Sequence, residues 1–135
     1  HFINVFGEEL VIENAEKALS LTSELTKSSI SDYTVGPVFM GSKTKGSHEW
    51  LIEFDKQPDD LSKFMEILDL NLQSLNSDYE AKRYKSSTLE LPKLVVARKN
   101  LFYDWLSSKN KLGGQNKIPR LSNSREFIEE LISMN

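Results

Sequence analysis

The sequence predicts an α+β domain, a small split βαβ (ferredoxin-like) sheet with helices packed on one face. Three observations carry this expectation. Trp50, Ile52 and Phe54 alternate with Glu49, Leu51 and Glu53, the period of a strand with one buried face. Leu61, Phe64, Met65, Leu68, Leu72 and Leu75 recur at helical spacing right after it. Strand and helix signals then follow one another in the order strand, helix, strand, strand, helices, strand.

The first element, Phe2 to Phe6, is an apolar strand that breaks at Gly7. Val11, Ala15, Ala18, Leu19, Thr22 and Leu25 then form the inner stripe of a helix, with Glu13 and Lys17 as an i,i+4 pair on its outer side. Ser28 and Ser29 end it. Ile30 to Met40 reads as extended and is interrupted at Gly36-Pro37, where a bulge or an edge position tolerates the missing amide. Gly41 to Ser47 reads as the short loop into the Trp50 strand, so those two strands should pair antiparallel. Pro58-Asp59-Asp60 opens the Leu61–Leu75 helix.

Asn76-Ser77-Asp78 breaks that helix, and Ser77 with Glu80 forms a capping-box pattern for a third one running to Lys85. Lys93 to Arg98 is a short β-branched strand. Asn100 is placed to cap a helix carrying Leu101, Phe102, Trp105 and Leu106, which stops at Leu112-Gly113-Gly114. Asn123 or Ser124 caps a terminal helix with Phe127, Ile128, Leu131 and Ile132 inside. Nothing divides the chain into two domains.

With 135 residues the chain can bury a core without cross-links, and the absence of cysteine means that it has none. Its net charge of −3, with both signs interspersed, argues against a general binder of nucleic acid or anionic membrane. No stretch approaches the length of a membrane span and no leader pattern is seen, so a cytoplasmic location is expected. The chain opens on His1 directly inside an apolar strand. It is read as part of a longer protein, the alternative being a natural stand-alone domain left with a trimmed tag.

Several motifs are set aside on chemical grounds. Gly41 to Gly46 has the glycine spacing of a phosphate loop, but Ser47 and His48 stand where lysine and serine or threonine are needed, and a strand follows where a helix is required. His48 has no cysteine and only His1 as a further imidazole, which supports neither zinc nor a Ser-His-Asp arrangement; it reads as a polar strand-end residue. Tyr79, Lys82, Arg83, Tyr84 and Lys85 mix basic and aromatic groups. The strand Trp50 to Phe54, however, lacks the glycine and basic residues of an RNA-recognition motif.

The run Gly113-Gly114-Gln115-Asn116-Lys117-Ile118-Pro119-Arg120 places one lysine on a glycine-started, proline-stiffened loop before the last helix. Such a loop can present a cation to a phosphate or carboxylate, and the plain alternative is a solvated surface charge. Together with the strand-glycine-helix element at residues 2–18, it resembles the C-terminal domain of adenylate-forming enzymes, the superfamily of acyl-CoA synthetases and firefly luciferase. Gln115 and Asn116 separate the glycines from Lys117, and this spacing resembles the auxin-responsive acyl-acid amido synthetase branch. Tyr33-Thr34-Val35-Gly36-Pro37, His48 to Phe54 and Leu75 to Arg83 also fit that branch, so the resemblance covers nearly the whole chain.

The resemblance implies that residues 1–135 form the C-terminal lid domain of a larger adenylate-forming ligase. Such an enzyme uses ATP and magnesium to activate a carboxylic acid as its acyl-adenylate and transfers the acyl group to an amine or amino acid. Lys117 would be its catalytic lysine. Gly113, Gly114 and Gln115 would let the loop approach the nucleotide, and Arg120 would anchor the loop on an acidic neighbour, with substrate contact as the alternative. Asn4, Val5, Gly7 and Glu8 would shape the acyl-transfer tunnel, the plain alternative being a tight turn. The partner would be the N-terminal adenylation domain of the same chain. This stretch is expected to hold no cofactor and to be inactive alone. The rival reading is a stand-alone ferredoxin-like ligand-binding or regulatory module.

Overall fold

A computed structural model describes residues 1–109 and 117–135, with only the backbone of Ser42 and Lys43. The elements run β1 (Phe2–Ile3), β2 (Leu10–Val11), α1 (Ile12–Thr26), β3 (Ser29–Met40), β4 (Ser42–Lys56), α2 (Leu61–Leu75), α3 (Ser77–Arg83), β5 (Lys93–Val96), α4 (Leu101–Ser108) and α5 (Glu126–Met134). This is the expected α+β order. The main sheet is mixed, in the order β3-β4-β5, with β3 antiparallel and β5 parallel to β4. Val35 faces Trp50 in one pair, and Trp50 faces Leu94 in the other.

The first strand does not join this sheet. β1 is two residues long and pairs with β2 as a separate antiparallel ribbon, Phe2 opposite Val11 and Ile3 opposite Leu10. Val11 is therefore a partly exposed strand residue, outside the helical stripe, and Leu25 at the far end of α1 is 67% exposed. The segment expected as a loop before the Trp50 strand is itself paired: β4 begins at Ser42, and Ser47 and His48 lie opposite Val38 and Pro37. Backbone pairing in the hairpin overrides the polar, glycine-containing sequence there.

Helices cover both faces of the sheet, where one was expected. On one side Tyr33, Val35, Trp50 and Ile52 pack with Ala15, Ala18 and Leu19 of α1 and with Phe64, Leu68 and Leu72 of α2. On the other, Leu51 is fully buried among Leu101, Phe102 and Trp105 of α4 and Ile128 and Leu131 of α5. The acids beside Leu51 are engaged as well. Glu49 pairs with Arg125 at 2.8 Å, and Glu53 accepts the Asn100 and Phe102 amides at 3.1 and 3.3 Å. Glu53 thus caps α4 from the sheet, because Asn100 sits in the left-handed region (φ 67°) with no side-chain cap of its own.

The other caps also differ in part from the local patterns. Asp60 caps α2 through the Lys63 amide as expected. The cap of α3 is Asn76, which accepts the Tyr79 amide at 2.7 Å, in place of Ser77. α5 starts after Arg125, with Ser124 Oγ accepting the Glu126 amide at 3.4 Å. Asn123 turns away to accept the Asn4 amide at 2.9 Å. α3 joins α2 through a buried network in which Asp69 accepts from the Tyr79 hydroxyl at 2.6 Å and from Arg83 Nε and Nη2, each at 2.8 Å.

Candidate functional site

The segment after Lys117 is clamped to the sheet. Ile118 is buried in the α4–α5 layer and Leu121 in the α1–α2 layer, so the chain is held by apolar plugs on opposite sides. Between them the Pro119 carbonyl accepts the Thr34 hydroxyl at 2.8 Å, the Arg120 carbonyl accepts the Val35 amide at 2.8 Å, and the Ser122 amide donates to the Val35 carbonyl at 3.2 Å. These bonds lie along the outer edge of β3, where Gly36-Pro37 has its expected edge position, and they satisfy backbone groups that would otherwise face water. Lys117 is therefore the first residue outside a fixed anchor.

Lys117 is exposed and lies on a cleft of about 420 Å³ shared with Ile12, Glu16, Asp32, Leu106 and Arg120. Arg120 leans toward the acids. Its Nη1 lies 2.7 Å from Glu16 Oε1, its Nε lies 3.7 Å from Asp32 Oδ1, and its guanidinium covers the Tyr33 ring at 5.2 Å. Tyr33 donates its hydroxyl to Glu16 Oε2 at 3.0 Å. Burial pushes the Tyr33 phenol well up, and the charge of Glu16 adds to it, so the phenol stays a donor. Burial also raises Asp32, against the opposing pull of the Tyr33 amide and Arg120.

His1 also lines the cleft, whose lysine and arginine stand in different states. Arg120 is already neutralised by Glu16, whereas Lys117 makes no ion pair or hydrogen bond among the described residues. Gly113, Gly114 and Gln115 lie outside the described residues.

The N-terminal candidates form a tight turn. The Gly7 amide donates to the Asn4 carbonyl at 2.9 Å, and Gly7 takes φ 82°, a conformation costly for any residue with a Cβ. Asn4 and Gly7 are exposed and Val5 is half-buried. Glu8 points inward and is fully buried beside His48, so it reaches an outside partner only through the shape it gives the turn. The pairing of Glu8 with His48 and the roles of Glu16, Asp32 and Thr34 have no local signature; each depends on a partner far along the chain.

The class of protein defined here is an α+β domain that clamps a segment to its sheet edge, with Lys117 at the start of that segment making no ion pair or hydrogen bond among the described residues. The chain belongs to the GH3 family: the model of the GH3 family C-terminal domain matches residues 13–126. This is the amido synthetase family that the two ends of the sequence resemble. Among solved structures it is similar to AtGH3.15 acyl acid amido synthetase in complex with 2,4-DB, with 15% identity and a TM-score of 0.73. It is also similar to GH3.15 acyl acid amido synthetase, with 17% identity and a TM-score of 0.74. Each match covers 98% of this chain and 25% of the other, so this chain spans about a quarter of their length. At these identities the likeness is one of fold. A search of curated proteins returned no significant match. No described helix is long and apolar enough to cross a membrane.

Proposed function

We propose that the chain is the C-terminal lid domain of an ATP-dependent acyl-acid amido synthetase, with Lys117 as its catalytic lysine. The observation that supports this most is Lys117 at the start of a clamped segment, with no ion pair or hydrogen bond among the described residues, within a chain of the GH3 family. The whole protein would add an N-terminal adenylation domain carrying the adenine and acid pockets.

In the first half-reaction a carboxylate oxygen attacks the α-phosphorus of ATP. A new P–O bond forms, the bond to the β-phosphate oxygen breaks, and pyrophosphate leaves. Two anions approach each other in that step. An ammonium held between them stabilises the transition state more than the separated reactants, and the anchor at Ile118 to Ser122 would set where the backbone of Lys117 starts. The amine then attacks the acyl carbon of the adenylate, the amide bond forms, and AMP departs. Asn4, Val5 and Gly7, with Glu8 beneath them, would border the path of that amine.

Magnesium would enter with the ATP phosphates. This domain would supply charge through Lys117. A cytoplasmic location, where ATP is abundant, fits this reading.

ATP–pyrophosphate exchange by the full-length protein over a panel of carboxylic acids tests the proposal. Exchange with at least one acid, followed by amide formation when amino acids are added, is the expected result. No exchange with any acid, or a reading frame that starts just upstream of His1, would favour the stand-alone binding module.

A further inference from the structure

One built polar pair has no part in the reading above. Glu8 and His48 are 0% and 1% exposed, and Glu8 Oε2 lies 2.5 Å from His48 Nε2. The other carboxylate oxygen, Oε1, accepts the Phe6 amide at 2.9 Å. Glu8 therefore braces the backbone of its own turn against a side chain of β4. Burial raises the cost of ionising a carboxylate, and these donors, with the amide of Glu8 itself, offset it.

Three further contacts hold the same turn. The Asn4 amide is fixed on Asn123 Oδ1, the Gly7 amide on the Asn4 carbonyl, and the Phe6 ring lies against Gly46. A Cβ at Gly46 would stand 2.5 Å from Phe6 Cζ and 2.0 Å from the Val38 carbonyl oxygen, so only glycine lets the ring seat there. The result is an alternation: Ile3, Phe6, Glu8 and Leu10 point in, and Asn4, Gly7 and Glu9 point out. Packing alone does not call for this. A buried charged or strongly hydrogen-bonded pair is often replaced by apolar side chains at no loss of stability; what it adds is a single geometry.

We infer that His48 is a positioning residue for acyl transfer: acting through Glu8, it fixes the shape of the turn from Asn4 to Glu9. The inference rests on the amido synthetase reading, which places that turn beside the incoming amine. Adenylation is assigned to Lys117, which lies on the cleft beside His1 and Ile12 and not on this turn. His48 itself touches no substrate.

The substitutions His48→Leu and His48→Gln separate this role from a structural one. Glutamine puts an amide N–H near the place of Nε2 and keeps the donor to Glu8, whereas leucine removes it. In the full-length protein, ATP–pyrophosphate exchange reads adenylation, and single-turnover amide formation from preformed acyl-adenylate reads transfer. His48→Leu should leave exchange within about twofold of wild type and slow transfer about tenfold or more, the scale of a misplaced active-site segment. His48→Gln should restore most of the transfer rate. Deuterium uptake at the Phe6 and Gly7 amides should rise about tenfold or more in His48→Leu, a readout that needs no activity.

The double variant Glu8→Leu/His48→Leu replaces both partners by apolar groups and keeps the core filled should the single variant fold poorly; it should transfer as slowly as His48→Leu. Equal losses in exchange and transfer, or a double variant that transfers at the wild-type rate, would overturn the role of His48 and leave the ligase intact. A wild type that exchanges with no acid removes the reaction and this role together.

Discussion

Arg120 reaches across the cleft to Glu16, 104 residues away, with Nη1 2.7 Å from Oε1. Glu16 also accepts the Tyr33 hydroxyl, and the guanidinium lies over the Tyr33 ring, so α1, β3 and the segment bearing Lys117 meet at one point. Both side chains of the pair are about two-fifths exposed, at 41% and 46%. Such a pair contributes at most about 1 kcal/mol to stability, so its effect is one of placement.

Arg120→Ala should therefore leave the melting temperature within a few degrees of wild type and lower ATP–pyrophosphate exchange about tenfold, less than loss of Lys117. The swapped pair Arg120→Glu/Glu16→Arg should recover part of it. If Arg120→Ala costs as much as Lys117→Ala, Arg120 touches substrate and the anchoring role is wrong.

Asp69 is 3% exposed and carries the Tyr79 hydroxyl and two Arg83 nitrogens. Asp69→Ala leaves a largely buried guanidinium and a buried phenol without their acceptor, and it should cost about 3–5 kcal/mol in urea unfolding. Tyr79→Phe removes one hydrogen bond and should cost about 1 kcal/mol. Similar losses from the two variants would mean that the Leu89 carbonyl and Ser86 hydroxyl, which Arg83 Nη1 already reaches at 3.0 and 3.3 Å, suffice for the guanidinium.

Glu53 caps α4 from a neighbouring strand, so Glu53→Ala should cost about 1–2 kcal/mol and loosen the packing of Trp105, visible in its fluorescence. Asn100→Gly should be nearly neutral, because its backbone already has a positive φ and its side chain makes no cap bond. A costly Asn100→Gly with a harmless Glu53→Ala would reverse this assignment.

Acid should release the Glu8 brace. Burial raises the Glu8 carboxyl, but the hydrogen bond and charge of His48, with the Phe6 and Glu8 amides, pull it below its ordinary value of 4.5. A carboxyl whose folded value is depressed contributes stability that is present above 4.5 and lost as the pH falls through the lowered value. Glu8→Gln should accordingly flatten the acid limb of the stability profile below about pH 5, measured by urea unfolding at a series of pH values. An unchanged acid limb would show that Glu8 is not the group lost there.

Much of this architecture was legible in local patterns. The inner positions of α1 and α2, the buried face of β4 at Trp50 and Ile52, and the edge position of Gly36-Pro37 follow from periodicity and from the chemistry of proline. Leu51 was not legible, because α4 and α5, which cover it, come from 50 and more residues later in the chain. The same holds for Glu53 as a cap, for Glu8 with His48, and for the pairing of β1 with β2 in place of the main sheet. At the site, Lys117 stood out as a loop cation. Glu16, Asp32 and Thr34 did not, since a lone acid or hydroxyl gains its role only when Ile118 to Ser122 is laid along β3.

The most direct test of the central claim compares ATP–pyrophosphate exchange by the full-length protein with that of its Lys117→Ala variant, using an acid that the wild type activates. A fall of about a hundredfold or more with the fold intact is expected, the cost of one transition-state contact. Equal exchange by the two proteins would contradict it and leave Lys117 as a solvated surface charge.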